Sequence, residues 1–217
     1  MITQIEMTPL AQSEPQVPAL DLGSGSVSGK YSLIYADPAW TYRDNCHAGE
    51  RGAGYKYDLM TLDEICALPV RDLAAENCVL VMWWVGPQPR EALQVCEAWG
   101  FTLKNMTAIT WHKLTKNGKD HFGMGHWTRG NVENALLAVR GKPKRACAGV
   151  SQLVHAQVRE HSRKPDEVRD ALVRLMGDVP RVELFARQKH AGWDAWGNEI
   201  ASDLAMPQND KLTDSRP

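Results

Sequence analysis

A carboxylate, a fixed turn and a large aromatic residue follow the first apolar run of the chain. Tyr31–Ala36 leads directly into Asp37, Pro38, Ala39 and Trp40. Ligands of open α/β sheets bind just beyond the carboxyl ends of strands, so a site is expected at this tetrapeptide. The Asp37 carboxylate and the Pro38 carbonyl, whose direction the proline ring restricts, provide two hydrogen-bond acceptors.

Two acceptors beside an aromatic side chain suit an amine carried by an aromatic ring, such as that of adenine. The lone pair of this amine is delocalised into the ring, and accepting bonds from both N–H groups makes it more available. Trp40 can stack on a base, a contact that contributes about 1–3 kcal/mol. Such a base must be flipped out of its duplex or single-stranded. Taken alone, however, Asp-Pro after a strand is also typical of a simple turn.

Size and composition favour one soluble domain with short tails. The chain has 217 residues, of which 43% are hydrophobic and 24% charged. Residues 1–29 are predicted to be a disordered arm, residues 30–200 the folded domain, and residues 201–217 a disordered tail. No apolar run is long enough to span a membrane, and no leader pattern opens the chain, so a cytoplasmic protein is expected.

Alternating strand and helix patterns predict an α/β fold. The helices are expected near residues 61–69, at 88–99 and from Pro165 to Gly177, with a capping box at Thr61 and Glu64. The apolar runs are nearly unbroken, as in strands buried on both faces of a parallel sheet. The predicted strands are Leu33–Ala36, Val79–Val85, Thr107–Trp111, Ala135–Val139 and Val182–Ala186.

The positions of cysteine and histidine give no metal-binding pattern. The five cysteines include no Cys-x-x-Cys pair, which argues against disulfides and a structural zinc. His112, His121, His126 and His155 have no metal-ligand spacing, so no metal is expected.

Positive charge is concentrated in the last third of the chain. Between Arg140 and His190 there are twelve Lys/Arg against six Asp/Glu, although the whole chain has a net charge of −1. This excess suits a nucleic-acid partner or a solvated face. Within it, Lys142, Lys144 and Arg145 are candidate phosphate contacts.

Several motifs occur in the order typical of one family. The sequence resembles the mRNA N6-adenosine methyltransferase-like family, and within it the bacterial and phage N6-adenine DNA methyltransferases. The family hallmark is Asp-Pro-Pro-Trp, and Ala39 departs from it, which is expected to loosen the turn. The matching segments are YADPAW, YDLMTLDEI, MWWVGP, GMGHWTRGNVE, RGKPKR, EHSRKPDEV and VELFARQKHAGWDAWGNE.

The resemblance implies a Rossmann-like methyltransferase fold with permuted motif order, a mostly parallel sheet with helices on both faces, and S-adenosylmethionine as cofactor. It places Lys164, at the start of a helix, near the methionine end of the cofactor. Arg187 and either Lys189 or His190 are expected near the ribose, and Asn198 with Glu199 near the adenine. Asp37 is expected to contact both cofactor and substrate.

The resemblance also implies a substrate side. Tyr57 matches a position near the target base, and Trp127 and Arg129 belong to a loop over the pocket. Glu133 either binds the substrate or holds this loop. Trp83 and Trp84 should face opposite sides of their strand.

The predicted function is direct methyl transfer from S-adenosylmethionine to the N6 amine of adenine in DNA, with Asp37, Pro38 and Trp40 as catalytic residues. The protein is expected to act as a monomer or homodimer in a bacterial or phage-infected cell. Three alternatives stay open: an RNA substrate, a small-molecule substrate, and a catalytically silent relative that binds nucleic acid or a partner.

Overall fold

The computed structural model describes residues 29–41, 60–123, 125, 127–159 and 163–206. Within them, seven strands form one sheet in the order β5-β3-β4-β2-β1-β6-β7. The strands are β1 (Tyr31–Ala36), β2 (Ala74–Trp84), β3 (Thr102–Leu114), β4 (Val132–Arg140), β5 (Leu153–Gln157), β6 (Arg181–Leu184) and β7 (Asp194–Trp196). The helices are α1 (Leu62–Ala67), α2 (Val70–Leu73), α3 (Pro89–Ala98) and α4 (Asp166–Met176).

Most strand pairs are parallel, as predicted. β1 pairs in parallel with β2 and β6, β6 with β7, and β3 with β5. β4 alone runs antiparallel, between β2 and β3. The amino end of β4 therefore lies beside the carboxyl ends of its neighbours, and the carboxyl end of β4 lies beside their amino ends.

Helices cover both faces of the sheet, which confirms the predicted α/β architecture. Ile34 and Leu80 face the side on which α1, α2 and α3 pack. Leu33 and Val81, the preceding and following strand positions, face α4 on the other side. Because the central strands are buried on both faces, their sequences lack polar alternation.

Local signals set the helix boundaries. The Thr61 side chain accepts a bond from the Glu64 backbone and the Glu64 carboxylate accepts one from the Thr61 backbone, so the predicted capping box opens α1. Gly177 ends α4 with φ 76°, a conformation that glycine adopts without strain.

Two short edge strands and one terminal contact were not predicted. β5 and β7 contain five and three residues, too few for a clear period. The prediction that the tail begins at residue 201 is wrong for 201–206, because Leu204 and Met206 are buried and the backbone amide of Asp203 bonds to the Ala195 carbonyl. The predicted arm at 1–28 and the tail after 206 lie outside the described residues. No helix in the described part of the chain is long and apolar enough to cross a membrane.

Candidate active site

Asp37 directly follows β1 and meets a lysine from a distant part of the chain. The Lys164 ammonium lies 2.8 Å from Asp37 Oδ2. Lys164 stands just before α4, and its side chain is 12% exposed against 26% for Asp37. The two residues that the sequence assigned to catalysis and to cofactor binding are therefore in direct contact.

A second carboxylate joins this pair from β4. Glu133 Oε2 lies 3.3 Å from the Lys164 ammonium, and Glu133 Oε1 pairs with Lys113 at the end of β3. Burial raises the pKa of Glu133, but the charges of Lys164 and Lys113 together outweigh burial and lower it. Burial likewise lowers the pKa of Lys164, but Asp37 and Glu133 outweigh it and raise the pKa. Glu133 and Lys164 are thus both held charged near neutral pH.

Two tryptophan rings lie next to these charged groups. The Lys164 ammonium lies 5.4 Å from the centre of the Trp83 ring, and the Lys113 ammonium lies 5.3 Å from that of Trp111. Trp83 donates its indole N–H to the Tyr35 hydroxyl at 2.7 Å. Trp84, the next residue, contacts the other face of the sheet, as predicted. These cation–π contacts favour the observed positions of the two ammonium groups.

The turn after β1 is held by three contacts. The Trp40 amide donates to the Pro38 carbonyl at 2.8 Å, and the Met60 amide donates to the Ala39 carbonyl at 3.1 Å. The Trp40 indole N–H donates to the Trp83 carbonyl at 3.1 Å, and Trp40 is only 7% exposed. The predicted stacking role of Trp40 finds no support in this placement, because the ring packs beneath the turn.

The candidate cofactor residues lie after β6 and β7. Arg187 Nε lies 3.6 Å from Glu199 Oε1, so the expected ribose and adenine contacts adjoin each other. Asn198, exposed in a turn, follows Gly197, where a Cβ would collide with the Ala186 carbonyl oxygen. Close approach of these two backbones therefore requires glycine at this position.

A strained residue precedes this group. Phe185 follows β6 with φ 63°, a left-handed conformation that costs a non-glycine residue about 1–3 kcal/mol. Its ring packs edge-on against Trp196 with centroids 5.2 Å apart, and the Ala186 amide bonds to the Trp196 carbonyl at 2.9 Å. These contacts stabilise the chain reversal that leads to Arg187. Trp193 and Trp196 are both buried packing residues, as predicted.

The structure separates the two candidates for the ribose contact. Lys189 pairs with Asp203 at the surface, where it holds the segment 201–206. His190 is half-buried, and burial, followed by the charge of Arg169, lowers the pKa of its imidazole. Arg169 in turn bonds to Glu183 on β6. Of the two, His190 is the less exposed, and it is close enough to Arg169 for that charge to lower its pKa.

The loop between β3 and β4 carries the remaining candidates near the site. Trp127 and Arg129 are exposed on this loop, which leads into Glu133. Tyr57 lies outside the described residues.

The basic segment after β4 lies away from the site. Because β4 is antiparallel, Arg140 lies at the end of the strands opposite to Glu133. Its guanidinium bonds to the Arg71 and Ala74 carbonyls. The Lys142 amide bonds to Asn77 at the start of β2. The structure thus does not bring Lys142, Lys144 and Arg145 to the Asp37 cluster, and their role as phosphate contacts stays a prediction.

Sequence reasoning missed three charged residues of the site. Lys113 lies at the end of β3 outside any motif, and only the register that places it near Glu133 reveals a role. Arg169 lies on the buried face of α4, where it bonds to Glu183 at 2.9 Å and 3.1 Å. Burial raises the pKa of Glu183 to about 7 despite this partner.

A histidine pair also went unpredicted. His112 Nδ1 and His155 Nδ1 lie 2.9 Å apart across β3 and β5, and His112 Nε2 contacts Asp120 at 3.0 Å. Among the described residues, no three side chains are grouped as ligands of one metal ion.

The polar cluster stands where the carboxyl ends of parallel strands meet, which defines a ligand-binding site of an α/β protein. The model of the MT-A70 family matches residues 31–199. The type II methyltransferase M.MunI of a Mycoplasma species is 30% identical over 230 residues, covering 97% of this chain and 92% of the relative.

Eukaryotic relatives match a similar part of this chain. The Arabidopsis thaliana N(6)-adenosine-methyltransferase MT-A70-like protein is 31% identical over 80% of this chain, which spans 24% of that relative. The human N(6)-adenosine-methyltransferase catalytic subunit METTL3 is 26% identical over 81% of this chain and 29% of its own length. The chain therefore belongs to the MT-A70 family, and it is a methyltransferase.

Proposed function

We propose that this protein transfers the methyl group of S-adenosylmethionine to the N6 amine of adenine in DNA. The observation that carries the proposal is the Asp37-Pro38 turn at the carboxyl end of β1, held against Lys164 and Glu133. The type II methyltransferase M.MunI, which this chain matches over nearly its full length, supports DNA as the substrate.

The turn provides acceptors for both hydrogens of an aromatic amine. A carboxylate has two oxygens, so Asp37 can hold Lys164 and still accept one N–H. The Pro38 carbonyl accepts the Trp40 amide and has a second lone pair for the other N–H. Both acceptors are attached to a turn fixed by Trp40 and Met60, so their positions are set before the substrate arrives.

The acceptors act on the charge that develops during transfer. As the amine nitrogen forms its bond to the methyl carbon, the carbon–sulfur bond breaks and positive charge appears on nitrogen. Asp37 and the Pro38 carbonyl stabilise this charge where it forms. The methylated amine then releases its extra proton to solvent water, which leaves neutral N6-methyladenine, with S-adenosylhomocysteine as the second product. No nucleophilic side chain is needed, since transfer occurs in one displacement.

The residues fit an S-adenosylmethionine molecule, which supplies an electrophilic methyl group when bound. Lys164 offers a cation to a carboxylate, and Asp37 and Glu133 offer acceptors to an ammonium group. Arg187, His190, Asn198 and Glu199 provide polar groups beyond β6 and β7, where a ribose and an adenine would bind. The charged groups around Lys164 suit the zwitterionic amino-acid end of the molecule, and the polar groups beyond β6 and β7 suit its nucleoside end.

RNA is the second candidate substrate. Relatives named as N(6)-adenosine methyltransferases match 80–81% of this chain. The same Asp37-Pro38 turn would receive an adenine from either polymer, so the cluster alone does not discriminate between them.

The test is transfer of radiolabelled methyl from S-adenosylmethionine to unmethylated duplex DNA, single-stranded DNA and RNA in parallel, followed by nucleoside analysis. The proposal predicts N6-methyladenine in DNA. Label confined to RNA would favour the second candidate. Cofactor binding without label in any polymer would contradict both and favour a small substrate or a catalytically silent relative.

A further inference from the structure

Trp127 presents its whole side chain to solvent. It is 98% exposed, on the loop that joins β3 to β4. An aromatic side chain of this size gains most from burial, so full exposure at the rim of a site points to contact with a bound molecule. Trp40, Trp83 and Trp111, which lie near the Asp37 cluster, are buried and do not offer a free ring.

The loop that carries Trp127 is attached to the site through Lys113. The His121 amide donates to the Lys113 carbonyl at 3.0 Å, and the Lys113 amide donates to the Asn131 carbonyl at 2.9 Å. The Gly123 amide bonds to the Gly130 carbonyl at 2.9 Å, which closes the outer part of the loop. Because the Lys113 side chain pairs with Glu133 in the site, the base of the loop that carries Trp127 adjoins the cluster.

The charge of the loop suits a polyanion. Between Thr115 and Asn131 there are three cations, Lys116, Lys119 and Arg129, against one anion, Asp120. A stacking side chain among cations is the usual composition of a surface that binds nucleic-acid bases and phosphates.

On the basis of the proposed function, we propose that Trp127 is a wedge for duplex DNA: it enters the base stack and occupies the space that the target adenine leaves when it is flipped out. Side chains that insert between base steps compensate for lost stacking. Trp127 is therefore a positioning residue that favours the flipped state, and it takes no part in methyl transfer itself.

The test compares three substrates that differ in the free energy needed to flip out the target adenine. One is a duplex with the mapped target adenine paired to thymine, the second has an abasic site opposite that adenine, and the third is the single strand. Trp127→Ala should lower kcat/KM on the paired duplex by roughly 5- to 150-fold, the equivalent of about 1–3 kcal/mol of base stacking. On the other two substrates the loss should be no more than about threefold, since little stacking and pairing has to be broken.

Two variants control for the aromatic ring and the loop. Trp127→Phe should restore part of the loss, because a smaller ring still stacks. Phe122→Ala removes another exposed aromatic of the same loop, 68% exposed, and should leave all three rates unchanged. With 2-aminopurine at the target position, the fluorescence rise on binding should be smaller for Trp127→Ala than for the wild type.

Equal losses on all three substrates would overturn the wedge and indicate a general nucleic-acid contact or a cover over the cofactor. An unchanged paired-duplex rate would overturn it as well. A wild-type protein that methylates only single strands would contradict the wedge while methyl transfer to DNA stands. Absence of N6-methyladenine from every DNA substrate would instead refute the proposed function.

Discussion

The ammonium of Lys164 lies 2.8 Å from the Asp37 carboxylate, although 127 residues separate them in the chain. Asp37 directly follows the end of β1 at Ala36, and Lys164 stands two residues before α4, which packs on one face of the sheet. Glu133 binds the same ammonium from the amino end of an antiparallel strand. One buried cation therefore connects the Asp37-Pro38 turn with the start of the helix at which the cofactor is proposed to bind.

Replacing Lys164 should weaken cofactor binding. Lys164→Met keeps the aliphatic stem over Trp83 but removes the charge, and a hydrogen bond to a charged group contributes about 1.5–3 kcal/mol. The dissociation constant of S-adenosylmethionine in titration calorimetry should rise about 10- to 100-fold. Lys113→Met is the matched control, since Lys113 contacts Glu133 without contacting Asp37. Equal effects of the two variants would refute the specific role of Lys164.

The buried carboxyl of Glu183 should make stability depend on pH. Its folded pKa of about 7 lies above the ordinary 4.5, so the native protein holds a proton that the unfolded chain releases across this interval. Stability should consequently fall as pH rises from about 4.5 to 7, by on the order of 2–3 kcal/mol. Glu183→Gln, which cannot titrate, should lack this fall.

Urea unfolding at pH 5 and pH 7.5 measures the effect, and Glu97→Gln on the exposed side of α3 serves as the control. The control should reproduce the wild-type fall. The assignment fails if Glu183→Gln loses as much stability between the two pH values as the wild type does.

The basic segment after β4 should not contribute to binding of a short substrate. Arg140 is seven residues along β4 from Glu133, about 23 Å at the rise of a strand. A ten-base-pair duplex extends only about 17 Å to either side of a central adenine. Joint replacement of Lys142, Lys144 and Arg145 by glutamate should leave KM unchanged for this duplex, whereas Arg129→Glu should raise it. A comparable rise in KM for the triple variant would show that this segment contributes to binding of the short substrate.

The sequence allowed prediction of the elements that have strong local signals. The apolar run before Asp37, the capping box at Thr61 and Glu64, and the glycine after α4 each act within a few residues, and all three are in place. The family resemblance, confirmed by the match over residues 31–199, also allowed the fold class to be predicted.

Long-range features could not be predicted in this way. The direction of β4 has no local signal, so the sequence did not show that the basic segment after it lies at the opposite end of the strands from Asp37. Lys113, Arg169 and Glu183 acquire their partners only through strand register and helix docking. Trp40 was assigned a stacking role from its residue type, whereas its burial in the core, where its indole bonds to the Trp83 carbonyl, has no local signal in the sequence.

The role of Asp37 as acceptor for the amine is tested most directly by separating binding from transfer. Asp37→Asn preserves the shape of the side chain but replaces one acceptor oxygen by a donor. Single-turnover transfer to the mapped DNA substrate should fall at least about 100-fold. The dissociation constant of S-adenosylmethionine should stay within about fivefold of the wild-type value, since Lys164 keeps its contact with Glu133. An Asp37→Asn protein that transfers methyl groups at the wild-type rate would contradict the account.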